Sequence, residues 1–106
     1  MKSLPVVLRA AAHRDISDAL NYYQREAGAE TARAFVDRLE EAFEIIAPVP
    51  SVGSSRYAWE LEIPELKFWR LTQFPWLVFY IVRSDRIDVW RILHARRDIP
   101  ASFQED

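Results

Sequence analysis

The chain contains no cysteine and only two glycines among its 106 residues. The lack of cysteine excludes disulfide bonds, thiolate zinc sites and a cysteine nucleophile, and it is typical of a reducing compartment. Gly28 and Gly53 stand far apart, so there is no glycine-rich loop to cradle a phosphate. No apolar run approaches the roughly 20 residues that span a bilayer, and the run at residues 4–8 is too short for a signal peptide. We therefore expect a single cytoplasmic domain over residues 1–106, with no membrane partner.

Charge is unevenly distributed along the chain, although the net charge is only −2. Residues 13–47 contain eight acidic and four basic side chains, whereas residues 83–98 contain five arginines and three aspartates. The first half is therefore acidic, and the end of the chain is basic. The small net charge argues against direct binding of nucleic acid, while the basic end can meet an acidic protein or a phosphate.

Two amphipathic helices are predicted in the acidic half. Apolar residues recur at helical spacing over residues 16–27 and again over residues 32–46. Gly28 is placed to end the first helix in a left-handed conformation, and Pro48 ends the second. Helices joined by so few residues fold back on each other as an antiparallel hairpin.

The remaining segments have the pattern of β-strands. Residues 6–8 form a short strand next to Pro5, which is tolerated at a sheet edge. Residues 66–72 alternate in polarity, and the unbroken apolar run at residues 76–82 indicates a central strand covered on both faces. Residues 87–94 also alternate. The predicted fold class is α+β, with the order β-α-α-β-β-β and a helical hairpin packed on a mainly antiparallel sheet.

Few residues have the spacing of a catalytic or metal site. His13 and His94 are far apart and lack metal-ligand spacing, so we predict neither a metal site nor a cofactor. Carboxylate pairs such as Asp15 with Asp18 are predicted to lie on a solvent-exposed helix face. One group at the end of the last strand can hold a phosphate or stabilise developing charge; it consists of Arg91, His94, Arg96, Arg97 and Asp98. A purely structural alternative pairs Arg97 with Asp98.

Four tryptophans are more than a two-helix layer easily covers. We expect one or two of them on an open face of the sheet, where they can accept a peptide from a partner. This hypothesis requires the hairpin to cover one face and leave the other free for a macromolecule. Burial of both faces within the chain would overturn it.

Ordered fragments along nearly the whole chain resemble the RelE/ParE toxin superfamily, in particular its ParE-like branch. They comprise Tyr22-Tyr23, Ala32-x-x-Phe35 with Leu39, Pro50-x-x-Gly53, Phe74-Pro75-x-x-Val78-Phe79-Tyr80, and Ile87-x-Val89-x-Arg91-Ile92-Leu93-His94-x-x-Arg97-Asp98-Ile99-Pro100. The resemblance implies the toxin of a type II toxin–antitoxin system, neutralised by a cognate ParD-like antitoxin. ParE relatives are associated with poisoning DNA gyrase, whereas RelE relatives cleave mRNA on the ribosome.

Within this resemblance, two features favour the binding-type gyrase inhibitor that ParE relatives imply over an enzyme. RelE-like ribonucleases carry a basic group at the start of the central strand, where this chain has Trp76, and often a tyrosine in the tail, whereas none follows Tyr80 here. The alternatives are a RelE-like ribosome-dependent endoribonuclease that uses Arg91, His94 and Arg97, and a non-toxic interaction domain of the same fold.

Two sets of residues are predicted to contact partners. The set expected to face the target or form its polar network is Lys67, Trp69, Arg70, Arg91, His94, Arg96, Arg97 and Asp98. The set expected to meet basic groups of the antitoxin, on the acidic outer face of the hairpin, is Asp18, Tyr22, Asp37, Glu41 and Glu44.

Overall fold

The computed structural model describes residues 3–104 and contains a helical hairpin, a four-stranded sheet and two short helices. The elements in chain order are β1 (Val6–Leu8), α1 (Ala10–Glu26), α2 (Ala29–Ile46), a 3₁₀ turn (Pro50–Val52), α3 (Arg56–Glu60), β2 (Lys67–Arg70), β3 (Trp76–Val82), β4 (Ile87–His94) and α4 (Ile99–Gln104). The α+β class is confirmed, and α3 and α4 are additions to the predicted order.

The sheet has the strand order β1-β4-β3-β2. β2 pairs with β3 and β3 with β4 in antiparallel register, whereas β1 runs parallel to β4. The sheet is therefore mainly antiparallel, as predicted. β3 lies in its interior, and its residues from Leu77 to Ile81 are buried, which agrees with the unbroken apolar run.

The helical hairpin follows directly from the sequence pattern. Gly28 has a φ of +98°, which disfavours any side chain, and its N–H donates to Tyr23 O at the end of α1. α2 then begins at Ala29 and ends at Ile46, two residues before Pro48. Phe35, Leu39 and Ile46 pack against the sheet in the larger of two hydrophobic cores, which we call the hairpin core.

The second face of the sheet is also covered, which corrects the prediction of an open face. A second core consists of buried Leu66, Leu77, Phe79, Ile81, Leu93 and Ile99. The partly buried side chains of Tyr57, Ile63 and Phe103 close it from α3, from the segment after it and from α4. Sequence periodicity missed this cover because the two helices have five and six residues. The tryptophans expected on the open face are partly buried, and the fully exposed one lies on α3.

A β-bulge at Trp90 corrects the predicted alternation of β4. Val89 pairs with Tyr80 and Arg91 pairs with Phe79, so Trp90 is the extra residue. Val89 and Ile92 therefore both pack in the hairpin core, although strict alternation would place them on opposite faces.

No helix among the described residues is long and apolar enough to cross a membrane. Over the same residues, 3–104, no cluster of three or more histidine, cysteine, aspartate or glutamate side chains could hold a metal ion.

Candidate functional site

One end of the sheet gathers basic side chains from two strands and the turn after β4. Arg70 is the last residue of β2 and His94 is the last residue of β4. Arg96 and Arg97 lie in the turn that follows β4. Antiparallel pairing explains the grouping, since the last residue of β2 and the last of β4 flank the start of β3, where Trp76 pairs with His94. We call Arg70, His94, Arg96 and Arg97 the basic end. The structure therefore brings together four of the predicted target-facing residues.

His94 is held in a fixed orientation at the basic end. Its Nδ1 accepts a hydrogen bond from the backbone N–H of Arg96 at 3.1 Å, and its ring lies edge-on to Trp76, with centroids 5.3 Å apart. Partial burial, followed by the positive charges of Arg96 and Arg70, lowers the pKa of His94 below its ordinary value of 6.5. The imidazole is therefore neutral at neutral pH, and its remaining proton lies on Nε2.

Trp76 connects the basic end to the helical hairpin. Its indole Nε1 donates to Tyr23 Oη of α1 at 2.8 Å, and its ring packs 5.5 Å from that of Phe35. An indole in the middle of a small domain needs such a partner for its N–H. The position that holds a basic group in RelE-like ribonucleases is therefore part of the core here.

Arg91 differs from the basic end, because its side chain is buried. Its Nε and Nη2 donate to the two carboxylate oxygens of Asp15 at 2.8 and 2.9 Å, and its Nη1 donates to Ser102 O in α4. The side chains of Arg91 and Asp15 are only 5% and 7% exposed. The prediction that Asp15 is solvent-exposed is therefore wrong: this carboxylate is the buried counter-ion of Arg91.

Asp15 also completes the edge of the sheet. β1 pairs with β4 only as far as Val89, so beyond the bulge β4 has β3 on one side and no strand on the other. Asp15 Oδ2 accepts the N–H of Ile92 at 2.9 Å in place of a strand carbonyl. A buried N–H without an acceptor would cost about 1–3 kcal/mol. Asp15 thus joins α1, the sheet edge and, through Arg91, α4.

A second polar cluster lies where β1 meets β4. Asp88 is 3% exposed and accepts hydrogen bonds from Arg9, Arg83 and Trp90 at 3.0 to 3.2 Å. The guanidinium of Arg9 also lies 3.9 Å from the centroid of the Trp90 ring, within the range of a cation–π contact. Burial by itself raises the pKa of Asp88, but the hydrogen bonds and charge of Arg9, with the hydrogen bonds of Arg83 and Trp90, outweigh it and lower the pKa.

The remaining target-facing candidates lie apart from the basic end or have structural roles. Lys67 begins β2 and pairs with Tyr80, at the opposite end of that strand from Arg70. Trp69 packs against the hairpin core. Asp98 precedes α4, where its Oδ1 accepts the N–H of Ala101 and its carbonyl accepts the Ser102 hydroxyl. Asp98 therefore caps α4.

The predicted antitoxin contacts form one stripe on each helix of the hairpin, with one carboxylate on α1 and three on α2. Asp18 and Tyr22 are one helical turn apart on α1, and both are exposed; 52% of Tyr22 is accessible. Asp37, Glu41 and Glu44 have the same kind of spacing on α2, where Asp37 and Glu44 are exposed. Glu41 is half-exposed and pairs with Arg38 at 2.6 Å. We call these five residues the acidic stripes.

A family model described as the ParE toxin of the type II toxin–antitoxin system parDE matches residues 6–99. The chain belongs to the ParE toxin family. Among solved structures, a chain described as the chromosomal ParDE toxin–antitoxin system from P. aeruginosa is similar, with a TM-score of 0.73 and 20% sequence identity. The match covers 89% of this chain and 98% of that chain, and at this identity the likeness is one of fold. No curated protein sequence matches the chain.

Membership of the ParE family stands although both faces of the sheet are covered. The open face was the assumption on which the toxin interpretation rested, and the family match shows that the assumption was unnecessary. What changes is which surfaces of the protein are exposed. The basic end and the outer faces of the hairpin helices are exposed, whereas both faces of the sheet are covered.

The sequence did contain a signal for one of the missed residues. Ala12, Asp15 and Ala19 are spaced i, i+3 and i+7, and all three are buried on one side of α1. A carboxylate on that stripe requires a partner, since an unpaired buried charge is costly. Asp88 has no such signal, because its buried neighbours Ile87 and Val89 face the opposite side of the strand.

Proposed function

We propose that this ParE toxin arrests growth in the cytoplasm by binding DNA gyrase through its basic end, and that a cognate ParD-like antitoxin neutralises it. Membership of the ParE family supports the choice of target, because ParE relatives are associated with gyrase poisoning. The basic end supports the choice of surface. It presents exposed Arg70, Arg96 and Arg97 beside a fixed imidazole, so that an acidic surface of a protein–DNA complex can engage several cations at once.

The burial of Arg91 is the observation that favours binding over RNA cleavage. The ribonuclease alternative requires Arg91, His94 and Arg97 to act together on one phosphate. The Nε and both terminal nitrogens of Arg91 are occupied by Asp15 and Ser102 inside the protein. A guanidinium in that position cannot stabilise a phosphorane at the surface. We therefore propose an inhibitor that acts by contact and has no turnover of its own.

The acidic stripes support an antitoxin with a basic segment over the hairpin. Asp18, Asp37 and Glu44 are exposed on two adjacent helices, and Tyr22 offers an apolar ring among them. Aromatic side chains surrounded by charges are typical anchors of a protein interface. Such an antitoxin would leave the second face of the sheet, covered by α3 and α4, outside its contact.

Induced expression in a bacterial host tests the proposed function. We expect growth arrest with a DNA-damage response and intact mRNA, and rescue when the short neighbouring gene is co-expressed. Prompt cutting of transcripts without DNA damage would instead establish the ribonuclease alternative. Normal growth at high expression of folded protein would leave only the non-toxic interaction domain.

Charge-reversal variants test the antitoxin surface separately from the target surface. Asp37→Lys with Glu44→Lys should preserve growth arrest but abolish rescue, because both substitutions place like charges against the basic segment. Glu65→Lys with Asp85→Lys is the matched control, since both substitutions reverse exposed charges outside the hairpin. Equal rescue of the double variant and the control would refute this placement of the antitoxin.

A further inference from the structure

Trp59 is the most exposed large apolar side chain among the described residues. It is 91% accessible, whereas the other exposed large apolar side chains, Val7, Tyr22, Val49 and Val52, range from 37% to 54%. A tryptophan can bury far more apolar area than any of these residues, and isolated exposure of this degree is costly in water. Neither core uses the Trp59 indole, and neither the acidic stripes nor the basic end includes it.

The fold holds Trp59 outward on a short but anchored helix. Tyr57 packs against Phe68 and Phe79, with ring centroids 5.5 and 5.6 Å away, and Ala58 joins the same core. After Trp59 the chain reverses through Glu62, whose φ is +55°, and the N–H of the next residue, Ile63, donates back to Ala58 O. The indole is therefore displayed from a backbone that is tied down on both sides of it.

An open groove lies beside the indole. It has a volume of about 780 Å³ and is lined by Ser55, Ala58, Trp59, Glu60, Glu62 and Pro64, which we call the Trp59 groove. Residues 57–66 contain three glutamates and no basic residue. The basic residue that precedes them, Arg56, lies over the ring of Tyr57 at 5.2 Å. The groove therefore combines one large aromatic anchor with negative charge.

We propose that the Trp59 groove is a docking site for a basic segment of a partner protein that brings an apolar side chain, or the stem of an arginine, onto the indole. A cationic segment is complementary to Glu60 and Glu62, and arginine also stacks well on an indole face. Nucleic acids and anionic lipid surfaces carry the same charge sign as the groove and are repelled by it. A second copy docked through the same groove would place the two sets of glutamates against each other.

The docking site is independent of the surfaces in the proposed function. α3 covers the sheet face opposite the hairpin, and the Trp59 groove shares no residue with the acidic stripes or the basic end. A partner can therefore occupy it while an antitoxin covers the hairpin. Failure of the gyrase proposal would leave this inference intact, because its test measures binding directly and not growth.

Peptide titration of the intact chain, followed by NMR, tests the docking site. The probe is a short synthetic peptide of lysine, arginine and leucine, which lacks tryptophan, so the four indole N–H signals all belong to the protein. Trp59→Phe identifies the Trp59 signal. We expect the peptide to shift that signal and the amide signals of residues 55–63, and we expect Trp59→Ala to weaken binding about tenfold or more. The affinity should also fall as salt is raised.

Three controls give the test its specificity. A peptide with glutamate in place of every basic residue, and one with serine in place of every leucine, should each bind much more weakly. Glu60→Lys should reduce affinity for the basic peptide, whereas Glu40→Lys, a matched reversal of an exposed charge on α2, should leave it unchanged. Shifts confined to the hairpin, equal binding of the acidic peptide or unchanged affinity of Trp59→Ala would overturn the proposal. A dimer that Trp59→Ala abolishes would also overturn it, since it would assign the groove to a second copy.

Discussion

Replacement of Asp15 by asparagine tests the internal role of Arg91 most sharply. The substitution keeps the shape of the side chain, so no cavity forms, but it removes the negative charge and one acceptor oxygen. The side chain of Asp15 is only 7% exposed and accepts hydrogen bonds from both Nε and Nη2 of Arg91. Removal of one partner from such a pair strands a buried charge, which typically costs 3–5 kcal/mol. We therefore expect Asp15→Asn to lower the free energy of unfolding by about 3 kcal/mol.

Urea denaturation followed by circular dichroism measures this effect. Small domains are stable by about 5–15 kcal/mol, so a loss of this size moves the midpoint far and is measured easily. Asp18→Asn is the matched control, because Asp18 lies on the same helix but is exposed. Its effect should stay within about 0.5 kcal/mol. Equal midpoints for the two variants would refute the reasoning.

A paired substitution separates the loss of the interaction from the stranded charge. Asp15→Asn with Arg91→Met removes both ions and leaves no unpaired guanidinium, although it also removes the donor to Ser102 O. Buried ion pairs are often replaced by apolar side chains at little cost. We expect the double variant to be more stable than Asp15→Asn alone. A double variant that loses the sum of the single effects would show that the two residues are not energetically coupled.

Four further effects on stability follow from single positions. Gly53→Ala should destabilise the protein by about 1–3 kcal/mol in thermal melts, because the added Cβ would overlap the buried hydroxyl of Tyr80. The cost should be smaller in a Tyr80→Phe background, which lacks that hydroxyl. Additive effects of the two substitutions would contradict the overlap. Glu62→Gly should raise the free energy of unfolding in urea by about 1 kcal/mol, since φ at this position is +55° and favours glycine. A lower free energy of unfolding would show that the glutamate side chain is needed. The pKa of Asp88 is lowered in the folded state, so its contribution to stability is complete above the ordinary value of 3.8 and is lost as the pH falls through the folded value. Asp88→Asn should remove this part of the loss of unfolding free energy in acid. An unchanged dependence of the unfolding free energy on acid pH would contradict this prediction. The pKa of His94 is also lowered in the folded state, so the unfolded chain binds more protons and the free energy of unfolding falls as the pH drops below the ordinary value of 6.5. Between roughly pH 7 and 5, where histidine titrates, His94→Gln should show a flatter dependence of the unfolding free energy on pH in denaturation experiments. An equally steep dependence would contradict the shift.

The parts of the fold that local patterns encode were predictable. The hairpin follows from helical spacing, with Gly28 at a positive φ between the helices, and β3 follows from its apolar run. α3 has only five residues, and its end is marked by Glu62 at a positive φ where the usual signal is glycine. The cover over the second face therefore had no local signature that periodicity could detect.

The parts of the site that depend on distant pairs were not predictable. Arg91 and Asp15 are 76 positions apart, and their contact depends on the bulge at Trp90 and on the early end of β1. Charge density in the sequence therefore grouped Arg91 with the basic end, whereas the fold buries it. His94 and Arg96 are close in sequence, and the fold adds Arg70 to them through antiparallel pairing, so this part of the prediction grouped residues that do lie together.

Inhibition of purified DNA gyrase is the most direct test of the proposal that this ParE toxin acts by contact through its basic end. The wild-type chain should inhibit supercoiling and trap cleaved DNA without degrading RNA. Arg70→Gln with Arg96→Gln should raise the concentration needed by about tenfold, as expected for two interface charges of roughly 0.7 kcal/mol each. Arg33→Gln, an exposed arginine on α2, should match the wild type. Unimpaired gyrase at high toxin concentration, or equal potency of the double variant and the wild type, would contradict the account.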